Sequence, residues 1–316
     1  MEEMKPIDYI RLLFQGFCIG IANAIPGISG GTIAFIFGIY EELINSIKSF
    51  DLRFIRLFFS LRIKDAFATV SWRFLGTLIL GAVCAILSLS KLITWLLINR
   101  PIFINAFFFG LILATVPIIG VIIKCWTPKK LAALLLSGII SYIICGMMPV
   151  STPETAWFLF FSGAISISSM ILPGISGAFI LVLLGKYQFI LEAISSPFTG
   201  HHFVLLAAFG AGVIFGIVSF VRLLSWLFNK YHDTTVAVLT GVVIGSLNKI
   251  WPWKETISVI KTHNGKLIPI EQVNILPHCL NSEVCWAIIW MVAGFLLAFS
   301  LKNLRPQPHR CLIGIK

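Results

Sequence analysis

The pentapeptide Pro-Gly-Ile-Ser-Gly occurs twice in this chain of 316 residues, at positions 26–30 and 173–177. In each copy the proline can end one helix and the serine can cap the next. The first N–H groups of a helix have no partner within it and carry a partial positive charge. Each copy therefore predicts a backbone site for a phosphate or carboxylate. The N–H groups concerned are those of Gly30, Gly31 and Thr32 and of Gly177, Ala178 and Phe179.

The candidate substrate-binding residues are those at or beside the two breaks. They are Asn23, Pro26, Gly27, Ser29, Gly30, Gly31, Thr32, Pro173, Gly174, Ser176 and Gly177. The side chain of Asn23 has two possible roles, a hydrogen bond to an anionic head group or a cap on the broken backbone. A purely structural interpretation also stays open, in which Pro-Gly forms tight loops and small residues allow close helix contact.

Two basic residues, Lys91 and Arg222, lie within otherwise apolar segments. A cation inside a membrane is costly and usually has a partner or a substrate, which makes both residues candidates for phosphate binding. The alternative is that each side chain extends to the nearer membrane surface. Glu41 is the candidate coupling residue, because a carboxylate in a partly dry cavity can carry a proton during transport. Its alternative role is an ion pair at an interface. The pattern of residues predicts neither a metal site nor a cofactor.

The composition sets the class of protein that holds these residues. Hydrophobic residues make up 58% of the chain and charged residues only 12%, whereas soluble domains contain about 25% charged residues. This excludes a water-soluble enzyme and predicts an all-α, polytopic membrane protein. The formal net charge of +11 is attributed to loops that face an anionic leaflet, not to nucleic-acid binding. Ten apolar segments are predicted, at 7–25, 28–47, 74–98, 102–123, 131–149, 156–172, 175–195, 203–228, 234–250 and 284–301.

The two copies belong to a longer internal duplication. At a shift of 147 positions, Gly38 aligns with Gly185 and Tyr40 with Tyr187; at a shift of 131, Gly81 aligns with Gly212 and Trp95 with Trp226. Residues 1–150 and 151–316 are therefore predicted to be two membrane repeats, with a loop at about 251–283 on the outer side. Because each repeat has an odd number of segments, the second is expected to be inverted relative to the first.

The distribution of Lys and Arg predicts that both termini are cytoplasmic, since most of these residues fall on the side of the N-terminus. This test does not separate fully spanning segments from broken or re-entrant helical hairpins. Short segments interrupted by Pro and Gly favour hairpins. Such breaks are tolerated in a membrane only where the backbone is buried in protein or lines a wet cavity.

The segments around the two copies resemble those of the bacterial polyprenyl-phosphate transporters (PopT). The resemblance rests on Asn23-Ala-Ile-PGISGGT-Ile-Ala-Phe-Ile-Phe-Gly-Ile-Tyr-Glu-Glu and on Leu172-PGISG-Ala-Phe-Ile-Leu-Val-Leu-Leu-Gly-Lys-Tyr. It implies a flippase that returns undecaprenyl phosphate from the outer to the inner leaflet of the cytoplasmic membrane. Expected partners are this lipid, other membrane lipids, H⁺ or Na⁺ as coupling ion, and a second copy of the chain in a homodimer.

Two other functions remain open on the residues alone. A small-anion channel or exchanger can also use helix starts around a Gly-Ser-Pro break. An intramembrane lipid-pyrophosphate phosphatase is disfavoured, because neither copy has an acid or a His immediately beside its serine to complete a catalytic group.

Overall fold

The computed structural model describes residues 6–25, 27–123, 125–197, 202–261, 267–277, 279 and 281–302. The prediction of an all-α, polytopic membrane protein is confirmed. Five helices in the described part are long and apolar enough to cross a membrane, or six if one bent helix pair counts as a span.

The elements follow one another with short connections. The first half contains α1 (Pro6–Asn23), α2 (Gly30–Phe37), α3 (Tyr40–Lys48), α4 (Leu52–Phe59), α5 (Ile63–Thr69), α6 (Trp72–Asn99), α7 (Pro101–Leu113), α8 (Thr115–Gly120) and α9 (Pro128–Gly146). The second half contains α10 (Ala156–Ile171), α11 (Gly177–Leu183), α12 (Tyr187–Ser195), α13 (His202–Ser246), a 3₁₀ turn (Leu247–Ile250), β1 (Lys254–Lys261), β2 (Leu267–Asn274) and α14 (Ser282–Lys302).

Each PGISG copy separates two helices that fold back on one another. A Cβ atom built on Gly30, at the start of α2, would lie 2.8 Å from Cγ2 of Ile19 on α1. A Cβ atom on Gly177, at the start of α11, would lie 2.7 Å from the carbonyl oxygen of Ser166 on α10. Only a residue without a side chain permits this approach, so the last glycine of each copy closes a tight helical hairpin.

Four glycines with positive φ occupy matching places in the two hairpins. Gly27 and Gly174, in the breaks, have φ values of 89° and 95°. Gly38 and Gly185, at the far ends of α2 and α11, have φ values of 72° and 64°. Residues with a Cβ atom rarely adopt this conformation. The backbone thus turns at two corresponding points in each half.

The long helices pack through glycines in contacts that also correspond between the halves. Their built Cβ atoms would lie within 2.4 Å of a backbone oxygen on the neighbouring helix. The pairs are Gly16 with Leu78 and Gly163 with Phe209, then Gly81 with Leu13 and Gly212 with Phe160. The shifts between these pairs are the ones found in the sequence. Small residues at such crossings let the two backbones meet.

Two long helices pack against a helix of the opposite half. In the first half this is α7, which packs on α14, and in the second half it is the part of α13 after Tyr231, which packs on α9. On α7, a Cβ atom at Gly110 would lie 1.8 Å from the oxygen of Met291 on α14. On α13, a Cβ atom at Gly241 would lie 2.2 Å from the oxygen of Leu134 on α9. The two halves therefore exchange a helix, which makes the bundle one packed unit.

Gly212 provides a test of this packing. We expect Gly212→Ala to reduce the free energy of unfolding by about 1–3 kcal/mol, since its Cβ atom would overlap the α10 backbone. The neighbouring Gly210→Ala is the matched control, because a Cβ atom there meets nothing within 4 Å. It should change stability by less than about 1 kcal/mol. Thermal unfolding of the two purified variants in detergent measures the difference, and equal stabilities would contradict the packing.

Two connections carry structure that the sequence patterns did not predict. The connection between the predicted segments 28–47 and 74–98 contains two short helices, α4 and α5. The predicted outer loop contains an antiparallel β-hairpin in which Lys254 pairs with Asn274 and Lys261 with Leu267. Among the described residues, this hairpin is the only sheet in an otherwise helical structure.

Candidate functional site

The first break is a closed helix start. Ser29 is the N-cap of α2, and its Oγ accepts a hydrogen bond from the N–H of Gly31 at 3.2 Å. Asn23 Oδ1 accepts from the N–H of Gly30 at 2.8 Å, and the Ser29 carbonyl accepts from the N–H of Thr32 at 2.9 Å. The sequence predicted open donors here. Asn23 and Ser29 occupy them instead, so Asn23 caps the backbone.

The two breaks contact each other directly. Ser29 Oγ donates to the carbonyl oxygen of Leu172 at 3.1 Å. The N–H of Gly174 donates to Oγ1 of Thr32 at 2.8 Å, with both groups buried. Tyr40, the first residue of α3, donates from its hydroxyl to the oxygen of Ile171 at 3.0 Å. The polar backbone of the second break is thus partly satisfied by side chains of the first half, as membrane burial requires.

The second break leaves its helix start open. Ser176 is at the N-cap position of α11 but makes no capping hydrogen bond. Met170 lies beside Gly177 and aligns with Asn23 of the first half. Its side chain has no oxygen that could cap the N–H of Gly177. In the described part of the chain no backbone or side-chain acceptor is found for the N–H groups of Gly177, Ala178 or Phe179. Gly177 is buried and Phe179 half-buried, but Ala178 is exposed, so a ligand can reach this helix start from the side of Ala178.

The first helix start has the sequence Gly-Gly-Thr at 30–32, whereas the second has Gly-Ala-Phe at 177–179. This difference follows from the asymmetry between the two helix starts. A Cβ atom at Gly31 would lie 3.0 Å from the oxygen of Ile171, because α2 presses against the second break. Ala178, which aligns with Gly31, faces open space. The site therefore has one buried, structural break and one accessible break.

Lys249 adds a cation at the end of the predicted apolar segment 234–250. It lies in the 3₁₀ turn that follows α13. Its side chain packs over Gly27, where a built Cβ atom would be 3.3 Å from Cγ, and its Nζ lies 4.5 Å from the centroid of the Phe179 ring. Lys249 thus touches both breaks. Its position next to Gly27 depends on the tertiary fold, and no sequence motif marks it.

The other predicted residues are distributed as follows. Gly27, Gly174 and Pro173 are buried within the breaks, and Pro26 lies outside the described residues. Lys91 on α6 and Arg222 on α13 are exposed on the outside of the bundle, and the described contacts do not join either of them to the breaks. Arg222 instead borders an apolar groove of about 290 Å³ between α3 and α13, together with Lys48.

Glu41 lies at the start of α3, far along the chain from its partner. Its Oε1 is 2.8 Å from Nε2 of His232, just after the interruption of α13 at Tyr231. The neighbouring Asp233 pairs with Lys130 of α9 at 2.7 Å. The Glu41 side chain is 48% exposed, so the carboxylate is at a wet end of the bundle instead of in a dry cavity. The pair joins the first hairpin to the interrupted helix.

A helical membrane bundle in which two discontinuous hairpins meet at a shared polar centre is an arrangement that membrane transporters use. The comparisons with known proteins agree with this class. Residues 19–268 match the family described as undecaprenyl phosphate translocase-like. The chain therefore belongs to the undecaprenyl phosphate translocase-like family.

Two curated relatives carry the same name. A polyprenyl-phosphate transporter of Vibrio cholerae serotype O1 is 38% identical over 296 residues, which is 93% of this chain and 94% of the relative. A polyprenyl-phosphate transporter of Staphylococcus aureus is 32% identical over 265 residues, covering 79% of this chain and 88% of the relative. No solved structure matches the chain.

Proposed function

We propose that this protein translocates undecaprenyl phosphate from the outer to the inner leaflet of the bacterial cytoplasmic membrane, for reuse of the carrier lipid. The names of both relatives support a polyprenyl phosphate substrate. The single observation that carries the proposal is the open start of α11 beside a second, closed break. Uncapped N–H groups at a helix start bind phosphate.

The phosphate head group is assigned to Ser176 and the N–H groups of Gly177, Ala178 and Phe179. The first break takes a supporting role: Ser29, Gly31 and Thr32 hold the second break in place, and Asn23 closes the start of α2. This division of labour refines the symmetric site expected from the sequence. The lipid tail stays in the surrounding hydrocarbon, so only the head group needs a polar path.

Residues 1–150 and 151–316 are proposed to be inverted repeats that move relative to one another, giving the head group alternate access to the two leaflets. The matched glycine contacts and positive-φ glycines support this duplication. In this arrangement both termini are cytoplasmic, and the groove beside Arg222 opens toward the inner leaflet. Lys91, which aligns with Arg222 at the shift of 131 positions, is assigned to the outer half of the membrane. Each cation can attract an anionic head group near one surface.

Coupling to an ion is proposed because the membrane potential opposes inward movement of the anion by about 2.3 kcal/mol per charge at 100 mV. The pair formed by Glu41 and His232 is the proposed H⁺ site. A carboxylate and an imidazole in contact can share and exchange a proton. Because the pair connects α3 to the interruption of α13, its protonation can alter how these elements pack.

This coupling predicts a specific loss in Glu41→Gln. In proteoliposomes, an inward proton gradient should accelerate lipid translocation by the unaltered protein, and Glu41→Gln should remove most of that acceleration because Gln cannot titrate. Translocation without a gradient should persist. Glu42→Gln, at the adjacent position, is the matched control and should keep the response. Full acceleration in Glu41→Gln would exclude this residue from coupling, and acceleration by a Na⁺ gradient alone would identify the other ion.

The proposed function is tested with purified protein in liposomes that contain fluorescent undecaprenyl phosphate. Bleaching of the label by a membrane-impermeant reductant reports the fraction of lipid in the outer leaflet. Protein-dependent exchange of the monophosphate, without exchange of a labelled phospholipid, is the expected result. Chloride flux or electrical current without lipid exchange would instead favour the small-anion channel or exchanger.

A further inference from the structure

A pocket of about 260 Å³ lies where the end of α9, the 3₁₀ turn after α13 and the β-hairpin meet. The polar groups on its wall come from all three elements. The residues that matter here are Tyr142, Cys145, Asn248, Lys249, Lys254 and Asn274.

Two lysines share this small pocket. Lys249 and Lys254 are both half-buried, and Nζ of Lys254 donates a hydrogen bond to the carbonyl oxygen of Lys249. Among the described residues that line the pocket, none is acidic. Two lysine side chains therefore line one pocket without a carboxylate among its described residues to balance them.

This arrangement costs free energy in the absence of an anion. Burial lowers the pKa of Lys254 to about 8, and the charge of Lys249 acts in the same direction. Each ammonium would regain favourable interactions if an anion entered the pocket, since charge-assisted hydrogen bonds are roughly twice as strong as neutral ones. Asn248 and Asn274 form one side of the pocket, with Asn274 Nδ2 donating to the oxygen of Asn248 at 2.9 Å.

Lys249 links the wall of the pocket to the two breaks. The stem of this side chain covers Gly27, and its ammonium faces the ring of Phe179 at 4.5 Å. Phe179 is in the first turn of α11, whose N–H groups are open. The ring of Phe179 thus lies between the ammonium group of Lys249 and the first turn of α11.

We propose that the pocket of Lys249 and Lys254 is a receiving site for a phosphate monoester head group and selects it over the phosphodiesters of ordinary membrane lipids. A monoester carries about −1.5 to −2 charges at pH 7 and has three free oxygens. A phosphodiester carries a single charge and has fewer free oxygens. Two ammonium groups therefore match the monoester. This inference rests on the proposed function, because it assigns the step at which the lipid head group is recognised.

The experiment measures ligand binding to the full chain in nanodiscs of uncharged phosphatidylcholine. The probes are undecaprenyl phosphate, phosphatidylglycerol as the phosphodiester, and inorganic phosphate as the free form of the same chemistry. Lys249→Gln and Lys254→Gln should each weaken binding of undecaprenyl phosphate by about tenfold or more, as expected for loss of a charge-assisted hydrogen bond. Binding of phosphatidylglycerol should change less than about twofold, since a singly charged head group does not engage both ammonium groups.

Two further variants separate charge from folding. Lys254→Arg keeps the cation and should retain most of the binding. Lys129→Gln removes an exposed lysine at the start of α9, the opposite end of that helix, and should leave binding unchanged. Thermal unfolding of every variant identifies any that fails to fold. If a Gln variant fails to fold, the pH dependence of binding in Lys254→Arg and in the unaltered protein takes its place as the test.

The pH dependence provides a second readout. The titratable groups around Lys254 are Lys249, Cys145 and Tyr142. Because Lys254 loses its proton above a pKa of about 8, affinity for the monoester should fall between pH 7 and pH 9. Lys254→Arg should reduce that fall, because arginine stays charged over this range.

The outcomes distinguish this inference from the proposed function. If the unaltered protein does not bind undecaprenyl phosphate, the proposed function fails. If it binds and both Gln variants bind equally well, the receiving site is overturned while the function stands. Equal losses for undecaprenyl phosphate and phosphatidylglycerol would overturn the selectivity. Inorganic phosphate that binds as tightly as the lipid would show a site for free phosphate instead.

Discussion

The substitution Ala178→Asp should reduce translocation of undecaprenyl phosphate by about 100-fold or more, because it places a carboxylate where the phosphate is proposed to bind. At a separation of about 4 Å and an effective dielectric constant of about 20, two unit charges repel by about 4 kcal/mol. The phosphate carries more than one charge, so the repulsion is at least of this order. The N–H groups of Gly177 and Phe179 would also donate hydrogen bonds to the new carboxylate instead of to the phosphate.

The same variant should fold well, which makes the result specific. Ala178 is exposed and already has a Cβ atom, so a longer side chain has room. An acidic residue in the first turn of a helix interacts favourably with the helix dipole. We therefore expect Ala178→Asp to unfold at the same temperature as the unaltered protein, or at a higher one.

Ala178→Asn is the matched control, since asparagine has nearly the same size and no charge. It should keep most of the translocation measured in liposomes. A loss of similar size in Ala178→Asn would point to steric obstruction instead of charge. Normal translocation by Ala178→Asp would show that the phosphate does not approach the start of α11, and the head-group site would then have to lie elsewhere.

The helical hairpins were predictable from sequence because proline and glycine act on their own backbone. Proline removes an N–H donor and ends a helix, and glycine reaches positive φ at low cost. Gly27, Gly38, Gly174 and Gly185 all have positive φ in the structure. Gly27 and Gly174 lie at the predicted breaks, whereas Gly38 and Gly185 fall inside the predicted segments 28–47 and 175–195 and divide each of them into two helices. The apolar character of the long helices was also predictable, because a run of hydrophobic residues is a local property of the sequence.

The asymmetry between the breaks was not predictable from the shared motif. It depends on one side chain outside the pentapeptide, Asn23, which reaches across the hairpin to the N–H of Gly30 at 2.8 Å. The aligned residue in the second half is Met170, whose side chain has no hydrogen-bonding oxygen. The sequence contains this difference, but its meaning depends on how the helices fold back on each other.

The partners of the charged residues were also beyond reach of sequence patterns. Glu41 and His232 are separated by 191 positions, and Lys249 meets Gly27 and Phe179 only after the bundle has formed. By composition, Lys249 and Lys254 are ordinary loop lysines. Their closeness arises because the β-hairpin folds over the end of α9, and a strand pairing of this kind leaves little trace in a short polar loop.

Thr32→Val tests the contact between the two breaks, and we expect it to have the second-largest effect. Threonine and valine have nearly the same shape, so the substitution removes one hydroxyl group without opening a cavity. The N–H of Gly174, which donates to that hydroxyl at 2.8 Å, would lose its acceptor at a position where both groups are buried. Leaving a buried donor unsatisfied costs about 1–3 kcal/mol, and the second break would lose its orientation.

The expected result is therefore a lower unfolding temperature for Thr32→Val together with weaker binding of undecaprenyl phosphate. Thr32→Ser keeps the hydroxyl and should retain most of both properties. Tyr40→Phe removes another polar contact, to the oxygen of Ile171, and should cost less because an unsatisfied carbonyl is tolerated better than an unsatisfied N–H.

If Thr32→Val matched the unaltered protein in both measurements, the bond between the breaks would contribute nothing to their alignment. If it lost stability but bound the lipid normally, the contact would hold the fold together without positioning the site. Loss of both properties, with recovery in Thr32→Ser, would show that the buried first break positions the open second one.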